Sequence, residues 1–201
     1  MYGYQRNTGF TLLELIITIV ILAIVASFAV PSFRETVLNN RLTAQVNEIS
    51  SLISYARSEA SKLRSGVVTV CASTNSTSCS GSATWETGWI VFRDSDGDRS
   101  VDAADGDQLF KVGAALSGGN TLRIVALTSD SGGYVQFASN GFPVRSATGN
   151  AAGTFVVCDE RGDTRARAVV VNVSGQTRLA RDTGGTAGVL NDHDNADVTC
   201  P

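Results

Sequence analysis

Apolar and polar residues recur along this chain with two different periods, which predict one long helix followed by a set of strands. The segment from Phe10 to Val30 is almost entirely apolar and carries a single acid, Glu14. A bilayer-spanning helix needs about 20 such residues, so this segment is predicted to cross a membrane. From residue 31 to residue 64 the apolar residues recur at helical spacing between polar ones, as in an amphipathic helix. Pro31 lies at the junction and removes one backbone hydrogen bond, so we expect the helix to kink there.

After Gly66, a typical helix stop, the pattern changes to short strands. Each run is rich in Val, Ile, Thr or Phe and is bounded by Gly, Ser, Asn or Asp. The predicted strands comprise residues 67–72, 89–92, 108–112, 121–127, 133–138, 142–144, 154–158, 166–173 and 176–180. Short turns separate the last three, which predicts a meander. We therefore expect an α+β protein in which residues 65–201 form a β-rich globular domain.

Cysteine usage indicates an oxidising compartment. The 201 residues include four cysteines and one histidine, with no Cys-x-x-Cys pair, so zinc is not predicted and no cofactor is expected. An even number of cysteines in an exported protein favours disulfides. Three pairings are possible. We favour Cys71–Cys79, which closes a small loop, and Cys158–Cys200, which holds the C-terminal tail.

Composition and motifs argue against an enzyme. Charged residues make up 17% of the chain and the net charge is −3, so no general affinity for nucleic acid or anionic membranes is predicted. No nucleophile elbow, phosphate loop or dinucleotide fingerprint occurs. His193 lies in a polar tail, and we expect it at the surface.

Glu14 is the residue of the apolar segment that most needs an explanation. A charge at the centre of a membrane helix costs about 2.5–3.5 kcal/mol on insertion scales, so such an acid is a functional candidate. A cleaved signal peptide, or a plain anchor with Glu14 at the headgroup level, would also account for it. Because the amphipathic pattern continues beyond Pro31, we expect the segment to be retained.

The stretch Gly9-Phe10-Thr11-Leu12-Leu13-Glu14 resembles the class III signal of type IV pilins and type II secretion pseudopilins. The resemblance implies that prepilin peptidase removes residues 1–9 as a leader by cutting between Gly9 and Phe10, and that Phe10 becomes an N-methylated terminus. Residues 10–30 and 31–64 then form the transmembrane and amphipathic halves of one pilin helix. In a filament, the Glu14 carboxylate would pair with the terminal amine of a neighbour's Phe10 and align the subunits.

Later motifs resemble the GspH/FimT family of minor pilins. They are Cys71-Ala72-Ser73, Gly88–Phe92, Phe137 with Asn140-Gly141, Phe155–Cys158 and Val169–Arg178. The family's fold, a long pilin helix packed on a domain of two small antiparallel sheets, is the fold that we expect. Its pilus members help to prime assembly at or near the filament tip, and its secretion members are minor pseudopilins.

The resemblance implies a minor pilin of a bacterial type IV pilus. We expect one membrane pass in the inner membrane before assembly, then a place in the pilus, with the globular domain periplasmic or extracellular. The expected partners are other minor pilins and the major pilin. The alternatives are a DNA-binding minor pilin for natural transformation and a minor pseudopilin of type II secretion.

Basic residues near the C-terminus provide the DNA-binding hypothesis. Arg165, Arg167, Arg178 and Arg181 would converge if the last two strands pair, and such a patch can neutralise phosphates. DNA-uptake members of the family have a Gly-Arg-x-Arg motif, of which this chain keeps only Gly175 and Arg178. A solvated strand face, or a surface that meets an acidic pilin, is the competing interpretation.

Residues 94–107 hold six aspartates and form a weak calcium candidate. The residues with the alternate spacing of a calcium loop are Asp94, Asp96 and Asp98, which Asp102 and Asp105 could extend. Arg99 occupies the position where an EF-hand has glycine, and no closing glutamate follows. We therefore predict a solvated acidic loop without a metal.

Overall fold

The computed structural model describes residues 9–127, 133–145 and 151–201. Of the expected leader, only Gly9 lies within the described residues. The chain forms two compact units, Met1–Asn40 and Arg41–Pro201. One helix, α1 (Leu12–Ala60), contributes its first part to one unit and its second part to the other.

The first unit contains the apolar part of α1. Its most apolar window has a mean hydropathy of 2.8 and no buried residue, and within the described residues α1 is the one helix that is long and apolar enough to cross a membrane. Pro31 lies inside α1, which continues on both sides of it. The kink stays a prediction.

The second unit begins with the amphipathic part of α1, which ends at Ala60, before the predicted residue 64. The last turn closes as the Ser61 N–H donates to the Arg57 carbonyl at 3.1 Å and the Leu63 N–H donates to the Ala60 carbonyl at 3.0 Å. Gly66 follows with a φ of 81°, and a Cβ there would lie 3.0 Å from the carbonyl oxygen of Asp94. Glycine therefore allows the chain to turn from the helix into the first strand.

Eight strands follow within the described residues: β1 (Val67–Ala72), β2 (Trp89–Asp94), β3 (Gln108–Gly113), β4 (Thr121–Ala126), β5 (Tyr134–Ala138), β6 (Gly153–Cys158), β7 (Arg167–Val171) and β8 (Thr177–Leu179). They form two four-stranded sheets with the orders β3-β2-β1-β5 and β4-β6-β7-β8. All pairs are antiparallel. The expected α+β fold and the β6-β7-β8 meander are confirmed. Residues 142–144, predicted as a strand, form only a bridge between Phe137 and Pro143, since proline has no N–H for a ladder.

The main core lies between α1 and the inner faces of both sheets. The helix contributes Leu42, Val46, Ile49, Leu52, Ile53, Ala56 and Ala60, all buried at helical spacing. Val68 and Val70 of β1 and Phe155 and Val157 of β6 belong to the same cluster. Burying each large aliphatic or aromatic side chain contributes about 1.5–3 kcal/mol. This shared core fixes the amphipathic part of α1 against both sheets.

Trp85 packs edge-on against Phe155, with ring centroids 5.4 Å apart. Trp85 begins a short 3-10 helix before β2 and Phe155 belongs to β6, so the contact joins this helix to the second sheet. Trp85 and Trp89 are both buried and belong to the main core.

Loops and the C-terminal tail cover the outer faces of the sheets. On the first sheet, Cys71, Ile90 and Phe92 are covered by Cys79 and Val101. On the second sheet, the tail residues Val189 and Val198 cover Val156, Ala168 and Val170. Disulfides Cys71–Cys79 and Cys158–Cys200 tie these coverings to the strands, with the pairing expected from the sequence.

Candidate functional site

Phe10 and Glu14 line one hollow of about 290 Å³ on the exposed first part of α1, together with Leu15 and Thr18. The Glu14 N–H donates to Oγ1 of Thr11 at 3.2 Å, so Thr11 caps the start of the helix. Glu14 lies in the first turn, where the helix dipole favours an acid. The site is an exposed carboxylate on an otherwise apolar surface, one turn from Phe10. This carboxylate can form an ion pair with a positively charged group of a neighbouring molecule.

The strand register separates the arginines proposed for DNA binding. Val170 pairs with Arg178, so Arg178 lies on the same face of the sheet as Val170, where its side chain is exposed. Arg167 lies two residues before Val169 in β7 and therefore shares its face, which is the face towards α1. Arg167 also lines a cleft with Thr43. Because opposite residues of an antiparallel pair share a face, Arg167 and Arg178 lie on opposite faces of the sheet. The expected convergence of these two side chains is therefore wrong.

The other two arginines lie outside the strands. Arg165 ends a short 3-10 helix before β7, and Arg181 follows β8. Both are exposed. DNA binding by this region stays a prediction.

The acidic loop gathers four carboxylates. Oxygen atoms of Asp94, Asp96, Asp98 and Asp107 lie within 4.8 Å of one another. The fourth carboxylate of the cluster is that of Asp107, where the sequence suggested Asp102 or Asp105. Asp102 instead accepts the Ala104 N–H at 2.9 Å and caps a short 3-10 helix. The solvated acidic loop without a metal stays a prediction, with calcium as its weak alternative.

The aspartates of this loop repel one another. The Asp102 carboxylate, then desolvation, then the carboxylates of Asp96, Asp107 and Asp98 raise the pKa of Asp105 above its usual range. The loop therefore presents concentrated negative charge.

The side chain of His193, a residue of the tail, is buried against β6 and does not lie at the surface, which corrects the expectation from the sequence. Its side chain is 4% exposed. Its backbone N–H donates to Oγ1 of Thr154 at 2.9 Å, and its ring Nδ1 lies 3.3 Å from the same oxygen. His193 thus anchors the tail to β6. The polar sequence around it carries no hydrophobic signal for this burial.

Two family models match the chain. The model described as "Type II transport protein GspH" matches residues 45–175, which is more than half of the 201 residues. The model described as "Prokaryotic N-terminal methylation motif" matches residues 4–30. The comparison with curated proteins finds no match.

Two crystal structures of the type IV minor pilin FimU from Pseudomonas aeruginosa are similar in fold. The first has a TM-score of 0.51 at 16% identity and covers 74% of this chain and 94% of its own. The second has a TM-score of 0.49 at 14% identity and covers 72% of this chain and 97% of its own. The first likeness supports the shared α+β architecture.

The methylation motif and the exposed apolar helix fit a membrane anchor, and pilin-like proteins of this kind assemble with other pilins. Their role is structural rather than enzymatic. The match over residues 45–175 shows that the chain belongs to the GspH family and is a type IV pilin-like protein of the GspH/FimT type.

Proposed function

We propose that this protein is a minor pilin of a bacterial type IV pilus that helps to prime assembly and resides at or near the filament tip. The main support for this proposal is the exposed apolar surface of the first part of α1, which has a single acid, Glu14, one turn after Phe10. Such a surface is costly in water and needs either lipid or other helices as its environment. The fold shared with a type IV minor pilin is compatible with this role.

Processing prepares the helix for assembly. Prepilin peptidase cuts after Gly9, and the new amine of Phe10 is methylated. The apolar part of α1 then holds the protein in the inner membrane by a single pass, with the globular unit on the periplasmic side. On assembly the helix leaves the lipid for the filament core, and the globular unit moves to the pilus or cell surface.

Glu14 aligns subunits in the filament core. Burying an unpaired charge costs several kcal/mol, whereas a carboxylate beside an ammonium group is tolerated. A subunit in the correct register places the Glu14 carboxylate against the terminal amine of a neighbour's Phe10. A subunit in a wrong register leaves both charges unpaired, so the pair selects one arrangement. Its partners are other minor pilins and the major pilin.

Deletion of the gene, scored together for surface pili, exoprotein secretion and transformation, tests the proposal. We expect fewer surface pili, normal exoprotein secretion, and recovery of pili when the wild-type protein is supplied. Normal pili in the deletion strain would contradict the proposal.

A pseudopilin of type II secretion is the second candidate, and the description of the matching family model favours it. It predicts that deletion abolishes exoprotein secretion and leaves pili intact. A DNA-uptake pilin predicts loss of transformation with intact pili. The split of Arg167 and Arg178 between two faces gives this third option less support.

A further inference from the structure

A polar groove of about 560 Å³ lies between the last turns of the helix and the β7–β8 turn. Its helical wall consists of Ser54, Arg57, Ser58 and Ser61, and its other wall includes Gln176 and Thr177. The volume falls within the range of 300–1,000 Å³ that is typical of ligand sites. The groove is open to solvent along the serine side chains, which are exposed.

The guanidinium group of Arg57 is fixed at this groove. Its Nε donates to the carbonyl of Gly141 at 3.1 Å. Gly175 makes this fit possible, because a Cβ there would lie 2.8 Å from the Gly141 carbonyl and 3.2 Å from Cδ of Arg57. Gly141 and Gly175 have φ values of 76° and 77°, which favour glycine. Two close-packed turns therefore hold the arginine stem in place.

Among the described residues, the charge of Arg57 has no counterion in the groove. No carboxylate is among the residues that line it, and within the described parts of the chain Nε is the one guanidinium nitrogen of Arg57 with a hydrogen bond. Its two Nη groups are thus available. A guanidinium fork binds a carboxylate through two parallel hydrogen bonds.

The hydroxyl groups beside Arg57 suit a peptide backbone. Ser54 donates its hydroxyl proton to the Ser50 carbonyl at 2.8 Å, and Ser61 donates to the Arg57 carbonyl at 3.1 Å. Their oxygen lone pairs therefore accept hydrogen bonds from a ligand's N–H groups. The Gln176 side chain supplies both donors and an acceptor.

We propose that this groove docks an extended segment of a neighbouring pilin subunit, and that Arg57 holds an Asp or Glu side chain of that segment. The identity of the neighbour as a pilin rests on the proposed function. Duplex DNA fits the groove less well, because a run of phosphates requires several cations. Arg57 is the one cation that lines it, and Arg165, Arg167, Arg178 and Arg181 lie elsewhere.

Photo-crosslinking in piliated cells tests the proposal. The full chain carries p-benzoylphenylalanine at position 58, and filaments are sheared off, illuminated and mapped by mass spectrometry. We expect a crosslink to an Asp- or Glu-containing segment of another pilin. Arg57→Glu should lower its yield about tenfold or more, as expected when one partner of a docked charge pair is reversed. The exposed Arg178→Glu serves as the matched control and should leave the yield unchanged.

A charge exchange separates docking from folding. Replacing the crosslinked acid of the partner by Arg should restore the yield in the Arg57→Glu background, which a misfolded variant would not allow. If the chain is present in filaments but forms no crosslink to a pilin, the docking proposal is wrong and the pilin function stands. The same holds if the crosslink yield does not change in Arg57→Glu. A crosslink to DNA also overturns the docking proposal. Absence of the chain from filaments overturns both this proposal and the pilin function.

Discussion

Thr69 of β1 donates a 2.7 Å hydrogen bond to Oδ2 of Asp94, and both residues are fully buried. The other carboxylate oxygen of Asp94 accepts the Gly97 N–H at 2.7 Å. Gln136 of β5 also donates to Oδ2, at 3.3 Å. Asp94 thus links β1, β2 and β5 to the first turn of the acidic loop. Asp94 therefore has a structural role in the fold, independent of ion binding.

Asp94→Ala should destabilise the protein. The substitution leaves the Thr69 hydroxyl and the Gly97 N–H without their acceptor, and losing hydrogen bonds to a buried charge costs about 3 kcal/mol in total. Urea unfolding of the full chain in detergent micelles, followed by circular dichroism, measures the change. Asp96→Ala, at an exposed position of the same loop, should change the unfolding free energy by less than about 0.5 kcal/mol. Equal effects of the two substitutions would contradict this role of Asp94.

The two disulfides should differ in their contribution to stability. Cys158–Cys200 closes a separation of 42 residues and Cys71–Cys79 one of 8. Chain entropy then gives about 4 kcal/mol for the longer loop and about 2.5 kcal/mol for the shorter one. We expect the Cys158→Ser/Cys200→Ser variant to have the lower urea midpoint. The opposite order would show that packing of the small loop outweighs chain entropy.

Local sequence patterns predicted most of the elements because each strand is a short β-branched run between turn-forming residues. Val67–Ala72 is an example, with bounds that match the observed β1. The order of strands in each sheet did not follow from these patterns. In the first sheet β1 lies between β2 and β5, and such pairing depends on contacts between distant residues, which the core under α1 decides.

The candidate site shows the same limit. Glu14 and Phe10 were identifiable from local spacing along one helix. Whether Arg167 and Arg178 converge depended on register, and a shift of one residue moves a side chain to the other face. The Arg57 groove had no sequence signal, because Arg57 and Gly175 meet only through tertiary packing.

The Asp159–Arg161 pair should make stability depend on acid pH. The Asp159 side chain is 2% exposed, and its Oδ2 lies 2.6 Å from Nη2 of Arg161. Burial by itself raises the pKa of Asp159, but the hydrogen bonds and charge of Arg161, with the charge of Arg41, outweigh burial and hold the pKa below its usual range. Ionised Asp159 therefore stabilises the fold above its unfolded-state pKa of about 3.9. This stability is lost as pH falls through the lower folded-state pKa.

Arg161→Gln should flatten that dependence. Without the arginine, the folded-state pKa of Asp159 rises towards or above the unfolded value, so less stability remains to be lost on acidification. Urea midpoints of the full chain at about pH 5 and about pH 2.5, which bracket the carboxylate titration, provide the measurement. Arg165→Gln, an exposed arginine of the same region, should keep the wild-type difference. An unchanged difference in Arg161→Gln would show that other carboxylates dominate the acid response.

Glu14→Ala should block incorporation into filaments and leave processing intact. In the proposed function, cleavage after Gly9 precedes assembly, so the variant should still lose its leader, which the mass of the membrane-bound protein reports. Its helix then has no carboxylate for the neighbour's terminal amine, and a buried unpaired charge costs about 3–5 kcal/mol. Each 1.4 kcal/mol changes an equilibrium constant about tenfold, so the amount of chain in sheared filaments should fall by two orders of magnitude or more.

Glu48→Ala, an exposed acid in the amphipathic part of the same helix, is the control and should incorporate normally. Normal incorporation of Glu14→Ala would remove the role of this residue in alignment, and a leader that stays attached would instead place it in recognition by the peptidase.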